Sequence, residues 1–86
     1  MPEPPKETAA QKFGRELRRT RRHKELTQLN LAHLAGCTVA AISNYENGHT
    51  LPTVATLLDL AYVLDVDPGT LIAGLKPDVP PTDLLG

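Results

Sequence analysis

Residues 26–48, Leu26 to Gly48, read LTQLNLAHLAGCTVAAISNYENG, and the rest of the chain is best read outward from them. Thr27 offers a side-chain oxygen to the free amides at the start of a helix. Gly36 tolerates the left-handed conformation in which helices commonly end, so the pair predicts a helix from about Gln28 to Ala35. Thr38 repeats the start signal and Gly48 the stop signal, which predicts a second helix reaching about Asn47. The result is two short helices joined by a tight turn.

On the first of these, Leu31, Ala32 and Ala35 share the inward face, and the alanines allow close approach of a crossing helix. Leu29, Asn30 and His33 point away; His33 has no second ligand at metal-binding spacing on its own helix and is read as a surface imidazole. Cys37, in the turn, is read as a small buried apolar group. On the second helix, Ile42 and Tyr45 lie three residues apart and anchor it to the core. Val39, Ala40, Ser43, Asn44 and Asn47 are left on the outer face. Small or hydrogen-bonding residues without bulky charge suit a helix that enters a major groove about 12 Å wide, although an amphipathic surface helix has the same pattern.

Upstream, the proline-rich Met1–Pro5 should be extended, and residues 1–7 are expected to form a disordered arm. A helix is predicted from near Thr8 to Lys24. Its thin apolar face of Ala10, Phe13, Leu17 and Thr20/Arg21 needs packing on the next two helices, and Arg15, Arg18, Arg19 and Arg22 spread around the rest. Leu26 should act as a hydrophobic staple before the Thr27 cap. Downstream, Thr53 caps a helix over about Val54 to Leu64 that is apolar nearly all round once Leu58, Tyr62 and Val63 are counted. Such a helix is either central to the core or also used in a second contact. Asp67 caps a short last helix with Pro68 at its first position, ending at Gly74. Residues 76–86 form a proline-rich tail in which Val79, Leu84 and Leu85 are apolar enough to fold back.

Eighty-six residues, 41% of them hydrophobic but with no Trp, one Phe and two Tyr, favour one small all-α domain over a β-sandwich. The domain should span residues 8–75. No apolar run approaches the roughly 20 residues needed to cross a bilayer, and the start lacks a signal peptide's pattern, so a cytoplasmic protein is expected. A single cysteine makes neither an internal disulfide nor, alone, a zinc site. The net charge of −1 hides a division: residues 12–50 hold seven basic against three acidic residues, a net of +4, and residues 51–86 hold one against five, a net of −4. One basic and one acidic end suit a molecule that sets one face on a polyanion.

The residues Leu17-Arg18, Arg21, Leu26-Thr27-Gln28, Leu31-Ala32, Gly36, Thr38, Ile42-Ser43, Tyr45-Glu46, Gly48, Pro52, Thr56-Leu57, Leu60-Ala61, Leu64 and Val66 resemble the Cro/C1-type (XRE-type) helix-turn-helix family of phage repressors and bacterial regulators. The resemblance covers about residues 13–75. It implies a compact five-helix, lambda-repressor-like DNA-binding domain that binds operator DNA, usually as a two-fold dimer. Carried over position by position, it places Gln28, Thr38, Asn47, His49 and Thr50 at the DNA phosphates and Val39, Ala40, Ser43 and Asn44 at the base edges. It makes Arg21 and Glu46 a structural ion pair. The chain departs from the family's pattern at Val39 and Ala40, where hydrogen-bonding side chains are common, at Thr20, a usually apolar core position, and at Glu25 and Asp65, where glycine is common.

These readings lead to the expectation of a sequence-specific double-stranded DNA-binding transcriptional regulator, a repressor or autoregulator. It would read a palindromic operator as a homodimer through a surface that includes Leu58, Tyr62 and Leu75, without cofactor or small-molecule ligand. At this length no separate sensing domain is expected. The alternative is a protein-interaction module of the same fold, antitoxin-like or partner-binding, with weak or no base-specific DNA binding. An enzyme is not expected, since no nucleophile–base pair, carboxylate dyad, metal cluster or glycine-rich phosphate loop occurs in the sequence.

Overall fold

Thr8, Thr27, Thr38 and Thr53 each stand in extended backbone immediately before a helix. Each accepts a hydrogen bond at its hydroxyl from the amide three residues on, at Gln11, Asn30, Ala41 and Thr56. At the first of these the bond is reciprocated, because Gln11 Oε1 accepts the Thr8 amide at 2.9 Å and completes a capping box. Asp67 caps the fifth helix through the Gly69 amide at 2.7 Å. In the computed structural model, which describes residues 6–81, these caps open α1 (Ala9–His23), α2 (Gln28–Ala35), α3 (Val39–Glu46), α4 (Val54–Leu64) and α5 (Pro68–Ile72). No strand occurs among the described residues.

The helix ends share a chemistry too. Leu26, Cys37, His49 and Val66 each donate an amide to the carbonyl five residues back, at Arg21, Ala32, Asn44 and Ala61, over 2.9–3.2 Å. The residue before each donor is left-handed: Glu25 at φ 59°, Gly36 at 72°, Gly48 at 75° and Asp65 at 55°. This closure takes up carbonyls that the helix cannot satisfy and turns the chain sharply into the next element. Where glycine fills the left-handed position it does so freely; Glu25 and Asp65 do so against a steric penalty. The last helix stops at Ile72, short of the expected Gly74, because Ala73 leaves the helical region at ψ 128°.

Phe13 and Leu17 of α1, Leu31 and Ala32 of α2, Ile42 of α3, Leu57, Leu60, Ala61 and Leu64 of α4 and Leu71 of α5 form one buried core. The thin apolar stripe of α1 is sufficient because α3 crosses it at very short range. A methyl group at Gly14 would collide with the carbonyls of Tyr45 and Glu46, so the backbones meet where a side chain would stand. Phe13 and Tyr45 pack edge to face across the same crossing, with centroids 6.5 Å apart and planes at 82°. Leu26, Ala35, Cys37, Val63, Val66 and Leu75 close the core as half-buried neighbours. Thr20 is buried with them in place of an apolar residue.

The tail departs from the sequence reading. Lys76 to Pro81 lie exposed, and Val79 stays 81% exposed instead of folding onto a neighbour. The polar side chain beside it makes the contact: Asp78 Oδ1 accepts the Ala9 amide at 2.7 Å, while Lys12 Nζ reaches the Gly74 carbonyl at 3.2 Å. A carboxylate at the start of α1 supplies an acceptor and complements the positive end of the helix. Of the arm expected over residues 1–7, Lys6 and Glu7 are exposed and non-helical; Met1–Pro5, Leu84 and Leu85 lie outside the described residues.

Candidate nucleic-acid interface

Helix α3 turns Ile42 fully inward and half-buries Tyr45, which fixes its rotation about its own axis. Val39, Ala40 and Asn44 are therefore exposed, and Ser43 is partly so. No residue of α3 other than Glu46 is charged, and Glu46 faces the interior. The outer face is thus neutral and made of small or uncharged side chains.

Beneath it lies a buried polar cluster centred on Glu46, whose side chain is 0% exposed. Arg21 Nε donates to Glu46 Oε2 at 2.6 Å and Arg21 Nη2 to Oε1 at 3.0 Å, a two-point pairing that suits the planar guanidinium. Gln28 Nε2 donates to the same Oε1 at 3.0 Å, and Arg18 Nε approaches it at 3.3 Å. Burial alone would push the Glu46 carboxyl up. The hydrogen bonds from Arg21, Gln28 and Arg18, with the Arg21 charge, outweigh that and hold it below the usual carboxylate range. Arg21 in turn is raised, first by its hydrogen bond to Glu46, against the opposing cost of burial. Its Nη1 also donates to the Leu26 carbonyl at 2.7 Å, so one side chain ties the ends of α1 and α3 to the entrance of α2.

Most of the residues assigned to phosphate also make hydrogen bonds inside the protein, Thr38 and Asn47 as acceptors and Gln28, Asn47 and Thr50 as donors. Gln28 spends one amide proton on Glu46 and keeps a second. This modifies the simple expectation that its amide is free for the backbone of DNA. Thr38 accepts the Ala41 amide at 3.0 Å, which leaves its hydroxyl proton uncommitted. Asn47 accepts from Arg18 Nη2 at 3.1 Å and donates to Ser43 Oγ at 3.2 Å, keeping one amide proton. Thr50 makes a long contact of 3.4 Å to the Leu51 carbonyl, and His49 is exposed. Gln28 and Thr38 stand at the starts of α2 and α3, where the first backbone amides are free of intrahelical partners, a suitable seat for an anion.

Arg18 was not singled out in the sequence, where it is one of several arginines on a charged helix. Its proximity to Glu46 follows from the close α1–α3 crossing at Gly14, which no local pattern announces. The other arginines of α1 are largely neutralised: Arg15 pairs with Glu7 at 2.9 Å and Arg19 with Glu16 at 2.7 Å. Cys37 is half-buried, with its thiol pushed up by burial and by the nearby Asp59. Of the three residues assigned to a dimer surface, Leu58 is 50% and Tyr62 87% exposed, whereas Leu75 is half-buried against the protein's own core. Val54, 72% exposed, lies on the same stripe of α4 as Leu58 and Tyr62. No helix of the described residues is long and apolar enough to cross a membrane.

A five-helix domain whose second and third helices present a small-residue face over a buried ion pair is a helix-turn-helix domain. Residues 12–75 match the helix-turn-helix domain family, and the chain belongs to it. It is 37% identical over 62 residues to an uncharacterized HTH-type transcriptional regulator, YqaE, of Bacillus subtilis (strain 168). That alignment covers 72% of this chain and 53% of the relative, so the chain spans about half the length of the curated relative it matches. Among solved structures, it resembles the restriction-modification controller protein C.AhdI from Aeromonas hydrophila at 35% identity and TM-score 0.70. It resembles the P22 c2 repressor protein, solved in complex with a synthetic operator, at 31% identity and TM-score 0.69. Each of these two likenesses covers 72% of this chain and 94% of the other. The Bacillus relative is named for transcriptional regulation, C.AhdI for control of restriction-modification and the P22 protein for repression.

Proposed function

We propose that this protein is a sequence-specific transcriptional regulator of double-stranded DNA, a repressor or autoregulator. It lays α3 in the major groove and seats the starts of α2 and α3 on the flanking phosphates. The observation that carries this reading is the division of α3: Ile42, Tyr45 and the buried Glu46 fix one face, and Val39, Ala40, Ser43 and Asn44 are presented on the other without a charge to exclude them from a groove. Ser43 and Asn44 are the polar readers, Val39 and Ala40 the contacts for thymine methyls. The P22 relative, solved in complex with a synthetic operator, supports operator DNA as the ligand.

The protein acts as a homodimer on a palindromic operator, with the exposed stripe of Val54, Leu58 and Tyr62 on α4 as part of the interface. The reading is tested by titrating duplex DNA with protein over a range of salt. Affinity should fall steeply as salt rises, because phosphate neutralisation releases counterions, and Gln28→Ala with Asn44→Ala should weaken it further. Salt-independent binding, or unchanged binding by the double variant, overturns the docking. The exposed Leu29, Leu34 and Val39 favour a second reading, a partner-binding module of the same fold. Absence of any duplex binding at low salt selects it.

A further inference from the structure

Arg18, Asn47 and Ser43 form a chain of hydrogen bonds whose direction is set by chemistry. A guanidinium has only donors, and a carboxylate only acceptors. Arg18 is held by Glu46 at Nε and presents Nη2 to Asn47 Oδ1 at 3.1 Å. The Asn47 carbonyl must therefore face Arg18, since the reversed amide would put NH2 against guanidinium. Its NH2 then faces Ser43 and donates to Oγ at 3.2 Å. The Ser43 oxygen is an acceptor in this bond, so its own proton points elsewhere. A helical serine commonly returns that proton to a carbonyl one turn back, yet Ser43 donates to no group among the described residues.

We infer that Arg18 is a positioning residue that, through Asn47, keeps the Ser43 proton off the protein and available to DNA beside a single remaining lone pair, and so biases Ser43 to bases presenting acceptors. This rests on the proposal that α3 enters the major groove. There, guanine and thymine present only acceptors among their polar groups, cytosine only a donor, and adenine one of each. Ser43 accordingly favours guanine or thymine over cytosine at its step.

The polarity can be inverted by one atom. In Asn47→Asp the side chain has no donor, Arg18 still holds it, and Ser43 must turn its proton inward, leaving lone pairs toward the groove. The test begins by selecting bound duplexes from a randomised pool with the wild-type protein. The base pair whose preference disappears in Ser43→Ala is then identified, and relative affinities for the four bases there are measured at fixed salt. Wild type should prefer guanine or thymine to cytosine by about tenfold, and Asn47→Asp should prefer cytosine. Arg18→Met should flatten the preference, and Arg18→Lys, which keeps a donor for the Asn47 carbonyl, should restore it. Circular dichroism verifies that each variant is folded, and ratios between sequences cancel any general loss from the added negative charge.

An unchanged preference in folded Asn47→Asp overturns the inference, as does a Ser43→Ala variant that alters no base preference; in both cases DNA reading by α3 stands. A wild-type protein that binds no duplex overturns the DNA-reading proposal itself.

Discussion

Arg21 and Glu46 meet edge to edge at 2.6 and 3.0 Å in a site where the carboxylate is wholly covered and the guanidinium is 10% exposed. Neither charge has water to fall back on if its partner is removed. Glu46→Ala should destabilise the domain by about 3–5 kcal/mol, because it strands the Arg21 charge, and Arg21→Met by somewhat less, because Glu46 keeps Gln28 and the longer Arg18 contact. Replacing both with apolar residues of similar volume should cost less than the sum of the single changes. Urea unfolding of the two singles and the double measures this, and strict additivity would show that the pair is not coupled.

Acid should find the same weakness. The Glu46 carboxyl is held below its ordinary value of 4.5, so in the interval between that value and the lower folded one the unfolded chain binds the proton that the folded chain refuses. Its contribution is complete above the ordinary value and is lost as pH falls through the folded one. The urea midpoint of the wild type should decline on acidification below about 4.5, and that of Glu46→Gln should decline less. Parallel curves for the two proteins would place the acid sensitivity elsewhere.

Gly14→Ala should be among the most damaging single-methyl additions available. Its new carbon meets backbone carbonyls of α3, which cannot rotate aside as a flexible side chain could. A loss of about 1–3 kcal/mol is expected, with weakened DNA binding because α3 must shift. Thermal unfolding followed by circular dichroism reads the first effect; an unshifted melting temperature would mean that the crossing is looser than its geometry implies.

Glu25→Gly should do the opposite. Glu25 is exposed, its φ is 59°, and its side chain makes no hydrogen bond or ion pair among the described residues, so glycine removes strain without losing a contact. A gain of about 1 kcal/mol in urea unfolding is expected. Asp65→Gly should gain less, since aspartate tolerates that conformation better.

The helices were legible because their signals are local. Each of the four threonine caps lies next to the run it starts, and Gly36 and Gly48 sit one and two residues past what they end. The inner and outer faces of α3 follow from period alone. What was hidden depends on which helices meet. Arg18 reads like Arg22 until the Gly14 crossing brings α3 beside it, and Gly14 itself reads as a weak point in a helix until another backbone is placed against it. Leu75 looked available because periodicity shows that a residue is apolar, not which surface covers it. Val79 stands out by hydropathy, yet the tail's contact with α1 is a hydrogen bond to its polar neighbour Asp78.

That bond, from the Ala9 amide to Asp78 across 69 positions of sequence, brings the start of the first helix against the segment that follows the last. The folded unit therefore enters and leaves at one place on its surface. Such a unit can be spliced as a cassette into a loop of a host protein without stretching either partner, and its ends can be joined by a short bridge and reopened elsewhere. Opening the chain in the α3–α4 connection and bridging Ala9 to Asp78 would place the domain's ends beside α3.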